Sequence, residues 1–148
     1  MEKLQILFQE NNVPFELINH EVPICTAPEG AAYFGITIGQ TAPTLILKTE
    51  KGFFALIISG DRDRLDFAEV AKILGCKQAK LATPREVEEI TGFVVRSVPL
   101  VGHNLPSIVD KRLFQYSSIY GGSGEATSTL KVHPSALEKF NKVVATLD

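Results

Sequence analysis

The sequence predicts a mixed α/β domain of the α+β kind, with a mostly antiparallel or mixed sheet and short helices around it. Three observations predict this. Short β-rich runs are interspersed with short amphipathic runs, without the regular βα alternation of a doubly wound parallel sheet. The runs "TLILKT" (44–49) and "FFALIIS" (53–59), parted by "EKG", have the length and glycine content of a hairpin. Two stretches, "LDFAEVAKILG" and "ATPREVEEITG", carry both start and stop signals of helices.

The elements follow in chain order. Leu4, Leu7 and Phe8 at i, i+3, i+4 give an amphipathic helix ending near Asn11 and Asn12, and "PFELI" reads as a short strand. A proline-containing loop leads to "EGAAYF", where Thr26 and Glu29 have capping-box spacing and Gly35 suits the C′ position. The second hairpin run is apolar on both faces, as a central strand covered on each side would be. Asp66 caps the next helix, Phe67, Val70, Ala71 and Leu74 share its face, and Gly75 stops it. Thr83, Pro84, Glu86 and Gly92 repeat that logic. Pro99, Gly102 and Pro106 shape a loop, "SIVDKRLF", "YSSIY" and "TSTLKV" are strand or turn segments, and a last helix from Pro134 carries Leu137, Phe140, Val143 and Val144.

A chain of 148 residues suits one domain, 1–148, and 45% hydrophobic with 22% charged residues is the balance of a folded core. The formal charge of −2 provides no global positive field, which excludes DNA as an expected partner and confines any RNA contact to a local patch. Neither a signal peptide nor an apolar run of about 18 to 20 residues is present, so a soluble, cytoplasmic protein without a membrane partner is expected. Cys25 and Cys76 lack ligand-spaced partners, so free structural thiols and no metal are expected.

Lys48 shares a strand face with Thr44 and Ile46, where a partly buried ammonium would be a directional donor to a carbonyl or phosphate oxygen; the plainer reading is a strand-end lysine snorkelling to water. "GGSGEA" is either an anion nest or a plain turn, and matches neither a P-loop nor a dinucleotide fingerprint. His103 sits in the proline-bracketed loop, His20 opens the first long loop as a candidate substrate contact, and His133 reads as a helix N-terminal residue. Asp61, Arg62, Asp63 and Arg64 read as a solvated, mutually neutralised connection, with an arginine–RNA phosphate contact as the alternative.

In their order, "LILK" with its hairpin, "SGDRDRLDFAEVAKILG", "KLATPREVEEITGF", "VPLVGH" and "STLKVHPSAL" resemble the YbaK/ProX family of aminoacyl-tRNA editing domains, related to the editing domain inserted in bacterial prolyl-tRNA synthetases. The resemblance covers roughly residues 15 to 140. It implies a compact fold around a mixed, barrel-like sheet and a free-standing hydrolase that cleaves the ester of mischarged tRNA, with a small amino acid such as Ala or Cys on tRNA-Pro. No cofactor or metal is implied. The implied partners are the acceptor 3′ end of the tRNA and an aminoacyl-tRNA synthetase. Lys48 takes the place of the family's lysine, as an electrostatic clamp on the substrate. Gly102 and His103 match the end of one pocket loop, and Gly122, Ser123 and Gly124 match a second. Arg96 and Ser97 stand where members often have two glycines, and Leu100 where they have proline. Those departures leave open a non-catalytic member that binds an aminoacyl-tRNA end or nucleotide, and a hydrolase of another small ester or amide is a third reading.

Overall fold

The computed structural model describes residues 2–24, 26–62 and 64–148, so Cys25 and Asp63 lie outside the described residues. The chain runs α1 (Glu2–Glu10), β1 (Phe15–Asn19), α2 (Ala27–Phe34), a 3-10 turn (Ile38–Gln40), β2 (Thr41–Ala42), β3 (Thr44–Thr49) and β4 (Gly52–Ile57). It continues through α3 (Phe67–Leu74), β5 (Ala79–Leu81), α4 (Pro84–Thr91), β6 (Ser107–Asp110) and a second 3-10 turn (Lys111–Gln115). The last elements are β7 (Ile119–Gly122), β8 (Ser128–Val132), α5 (Ser135–Phe140) and β9 (Val143–Leu147).

The strands form two open mixed sheets, ordered β1-β8-β7-β2 and β5-β3-β4-β6-β9, rather than the single barrel-like sheet the resemblance implied. The α+β class holds, with antiparallel pairs β1–β8, β7–β8, β3–β4 and β3–β5 and parallel pairs β2–β7, β4–β6 and β6–β9. The chain passes from one sheet to the other at Pro43, which has no N–H to continue a ladder.

The central hairpin is covered on both faces, as its apolar run required. Alternate residues Leu47 and Leu56 pack with Val70 of α3, while Ile46 and Ala55 pack with Val87 of α4. Complete burial of a side chain such as Leu56 contributes about 2 kcal/mol, which explains why this hairpin anchors the larger sheet. A third cluster joins Leu4 and Phe8 of α1 to Leu100, Ile119, Leu130 and Leu137 over the smaller sheet.

The cap signals are realised. Thr26, Asp66 and Thr83 accept bonds from the first-turn amides of α2, α3 and α4, and Gly35, Gly75 and Gly92 end these helices in the left-handed conformation. The last helix is shorter than its spacing suggested. It stops at Phe140, and Val143 and Val144 begin a strand paired in parallel with β6. The apolar set at 137, 140, 143 and 144 has helical spacing, and pairing with the open edge of β6 overrode it. Strands β2 and β5, of two and three residues, carry too few positions to show a period at all.

The run from Asp61 is no free solvated connection. Arg62 Nε lies 2.8 Å from Oδ2 of the fully buried Asp110, whose carboxylate also accepts from the amides of Ser59 and Arg112. No described helix is long and apolar enough to cross a membrane.

Candidate functional site

Where the two sheets meet, a cavity of about 320 Å³ opens between α2, the β2–β3 crossing, the β7–β8 ends and the loop after α4. Its floor is the crossing itself, because Thr41, Ala42, Pro43 and Thr44 carry the chain from one sheet to the other. Leu45, Ile46, Val87 and Val98 make one wall, and Gly30 and Phe34 of α2 another.

The glycines of β7 set the roof. A side chain on Gly122 would collide with the carbonyl oxygen of Val98, and one on Gly121 would come within 2.6 Å of Leu100. Their absence lets the loop dock on β7, with the Leu100 amide donating to the Gly122 carbonyl at 3.0 Å. The preceding turn is closed by the Ser97 amide donating to Val94 at 2.9 Å, and Arg96 in its third position has φ +76°. A type II turn needs positive φ there and ordinarily uses glycine. An arginine is thus held in a glycine conformation on the cavity lining.

The lining is mostly apolar with a few hydroxyls. Thr44 Oγ1 and Ser128 Oγ are buried and have no hydrogen-bond partner. Thr129 Oγ1 lies 3.0 Å from Nε2 of His20, whose Nδ1 is 2.8 Å from the carbonyl oxygen of Val22. Among the described lining residues, Arg96 and Glu125 carry charge, both exposed at the mouth. Such a site can take a small, mainly apolar group with two or three polar atoms, and one cation can meet an anionic flank.

Lys48 is not brought into this cavity. Its strand neighbours Thr44 and Ile46 line it, but Lys48 lies nearer the turn and its Nζ is 2.6 Å from Glu86 Oε2. Glu86 is the capping-box carboxylate of α4, so one oxygen takes the Thr83 amide and the other takes Lys48. The Lys48 ammonium first, then the Thr83 amide, hold that carboxyl down to about 2. In this structure the lysine therefore extends a helix cap, on the same strand face as the lining residues Thr44 and Ile46.

The other expected contacts divide similarly. Gly122 lines the cavity. Ser123 and Gly124 do not: Ser123 Oγ donates to the Ser128 carbonyl, and Gly124 has φ +101° beside the Phe93 ring. Gly102 faces Leu4 of α1, and His103 is buried beside it with Nδ1 accepting from the Leu105 amide. Burial pushes the His103 imidazole down to about 4, so the ring is neutral near pH 7, and its Nε2 is buried without a hydrogen-bond partner. His20 stands behind the wall and reaches the cavity through Thr129. The loop thus lines the site with its start, Val95, Arg96 and Val98, and not with its end. Of the departures at 96, 97 and 100, Ser97 and Leu100 are buried away from the cavity and Arg96 alone reaches it.

Sequence reasoning missed Thr44, Ser128 and Thr129 as lining hydroxyls. Thr44 had a signal in its place just after Pro43, and Ser128 and Thr129 in theirs just after the glycine cluster.

A sequence model described as the aminoacyl-tRNA editing domain matches residues 21–140. The multifunctional Ser/Thr-tRNA deacylase ProXp-y of Escherichia coli (strain K12) is 28% identical over 121 residues, covering 77% of this chain and 71% of that protein. The proline–tRNA ligase of Thermosipho melanesiensis is 27% identical over 118 residues, 78% of this chain and 21% of the ligase, so the chain spans about a fifth of that relative's length. Among solved structures, one described as a candidate trans-editing enzyme for prolyl tRNA synthetase superposes with a TM-score of 0.85 at 28% identity, covering 97% of this chain and 92% of that one.

Proposed function

The chain belongs to the aminoacyl-tRNA editing domain family, and we propose that it hydrolyses the ester of mischarged tRNA in the cavity between its two sheets. The observation that carries the placement is the cavity of about 320 Å³ itself, lined mainly by apolar groups, with the unpartnered Thr44 Oγ1 and Ser128 Oγ buried just beneath its surface. Each unsatisfied buried polar group costs about 1–3 kcal/mol. A substrate offering acceptor oxygens at that spot recovers the cost.

An aminoacyl ester is already activated, so the site has chiefly to hold it, polarise its carbonyl and admit water. Rotation of the Thr44 and Ser128 side chains on substrate entry would turn their hydroxyls to the carbonyl oxygen as it gains charge, in surroundings where a hydrogen bond is strong. A cavity of about 320 Å³ suits a small side chain, with Ala, Cys and Ser as the proposed cargo. Arg96 at the mouth meets a phosphate of the acceptor end, the local basic contact that an overall charge of −2 demands. The proposed tRNA is tRNA-Pro and the proposed partner its synthetase, a reading supported by the proline–tRNA ligase among the relatives.

Deacylation of alanyl-, cysteinyl- and seryl-tRNA-Pro, with and without prolyl-tRNA synthetase, tests this reading. Hydrolysis of at least one, slowed about 100-fold by Ser128→Ala or Thr44→Val, is expected from the loss of one oxyanion donor. Binding of all three without turnover would overturn it in favour of a binding module.

A further inference from the structure

The pairing of His20 with Thr129 puts an imidazole directly behind a residue of the cavity lining. Backbone carbonyls only accept, so the 2.8 Å contact with the Val22 oxygen places a proton on His20 Nδ1. In the neutral ring Nε2 is then the acceptor, and the Thr129 hydroxyl donates to it across 3.0 Å. With its proton committed behind the wall, Thr129 offers the cavity lone pairs alone. Thr44 and Ser128, by contrast, have free protons. Thr26 and Thr41 also commit their protons, to Glu29 Oε1 and to the Ile38 carbonyl, so Thr129 is distinguished among the described lining hydroxyls by having an imidazole behind it.

The imidazole is held to this duty. His20 is 6% exposed, its ring centroid lies 5.6 Å from Tyr33 and 6.4 Å from Phe34, and its amide donates to the Thr127 carbonyl. Strand pairing of β1 with β8, ending at Asn19 and Ser128, fixes the two partners against each other. Hydroxyl, imidazole and orienting carbonyl are joined by successive contacts of 3.0 and 2.8 Å, the order that hydroxyl–imidazole relays use.

We propose that Thr129 is a catalytic hydroxyl of the editing site and His20 its positioning residue and proton acceptor, an inference that rests on the deacylase reading above. A water hydrogen-bonded to Thr129 Oγ1 attacks the ester carbonyl carbon. Its proton passes to Oγ1 while the Thr129 proton passes to His20 Nε2. The bond from the carbonyl carbon to the ribose oxygen then breaks, and that oxygen takes the proton back along the same path. One water is consumed, and a free amino acid and a tRNA hydroxyl are released.

The test uses the full chain with the alanyl-, cysteinyl- and seryl-tRNA-Pro panel. Thr129→Val and His20→Gln are each expected to lower kcat about 100-fold with KM changed less than about 2-fold, the range of one lost acid–base contribution. Thr129→Ser should restore most of the rate, and the double variant should be no slower than either single one. Melting curves of the variants, matching the wild type, separate this from a folding defect. Where a variant melts early, the Thr129→Ser rescue and the kcat–KM split decide. Wild-type hydrolysis that Thr129→Val retains, or a loss confined to KM, overturns the relay while leaving the deacylase reading intact. Absence of hydrolysis by the wild type overturns both.

Discussion

Arg96 shows how one residue can set stability against function. Its φ of +76° puts a β-carbon where the left-handed region favours none, at a cost of about 1–2 kcal/mol. Its guanidinium is the cation on the described cavity lining. Arg96→Gly is therefore expected to raise stability by about 1 kcal/mol in urea unfolding and to weaken KM for aminoacyl-tRNA several-fold. A variant that is less stable with unchanged KM would contradict both halves of the argument. At this scale the sequence was partly legible. Arg96 was conspicuous as an arginine where the resembled family often has glycine, and Gly122 as part of a glycine cluster. Lys48 and His103 were visible too, yet their duties depend on Glu86 and on α1, distant partners that no local spacing reveals.

Between elements, the contact that matters is that of β3 with α4. Thr83 and Glu86 close the N-terminus of α4, and Lys48 reaches from the strand to the free carboxylate oxygen of the same cap. Val87, the next residue, lines the cavity, so the cap fixes one wall. Lys48→Ala is expected to change the melting temperature little, because exposed ion pairs contribute little, and to lower kcat more than about 10-fold, as the substrate clamp implied by the resemblance requires. Deacylation within about 2-fold of the wild type would assign the lysine to the helix cap alone. Helices with complete caps, α2, α3 and α4, were readable residue by residue, and so was the β3–β4 hairpin. Strands β2, β5 and β9 were not, because each exists through a neighbour's unpaired edge and not through its own pattern.

For the molecule as a whole, the two open sheets and their crossing at Pro43 create the site, while the buried His103 and the helix-cap carboxylate Glu86 set the pH response. Burial holds His103 at about 4, below the ordinary 6.5, so the unfolded chain takes up this proton first as pH falls. The stability this neutral ring provides is whole above about 6.5 and is lost between 6.5 and 4, on the order of 3 kcal/mol. Glu86, lowered to about 2, keeps its contribution until pH drops below about 4.5 and loses it toward 2. Urea unfolding at pH 7.5, 5.5 and 4 should show the upper loss in the wild type and not in His103→Asn, which retains an acceptor for the Leu105 amide. An equal decline in both would remove His103 as its source. The fold class was legible because two hairpin strands and two capped helices define it, whereas the cavity belongs to the crossing between sheets and to no single segment. Its role is tested most directly by single-turnover deacylation of alanyl-, cysteinyl- and seryl-tRNA-Pro by the wild type and by Ser128→Ala. Hydrolysis by the wild type, about 100-fold slower in the variant at equal tRNA binding, is the predicted result; equal rates for the two proteins would contradict it.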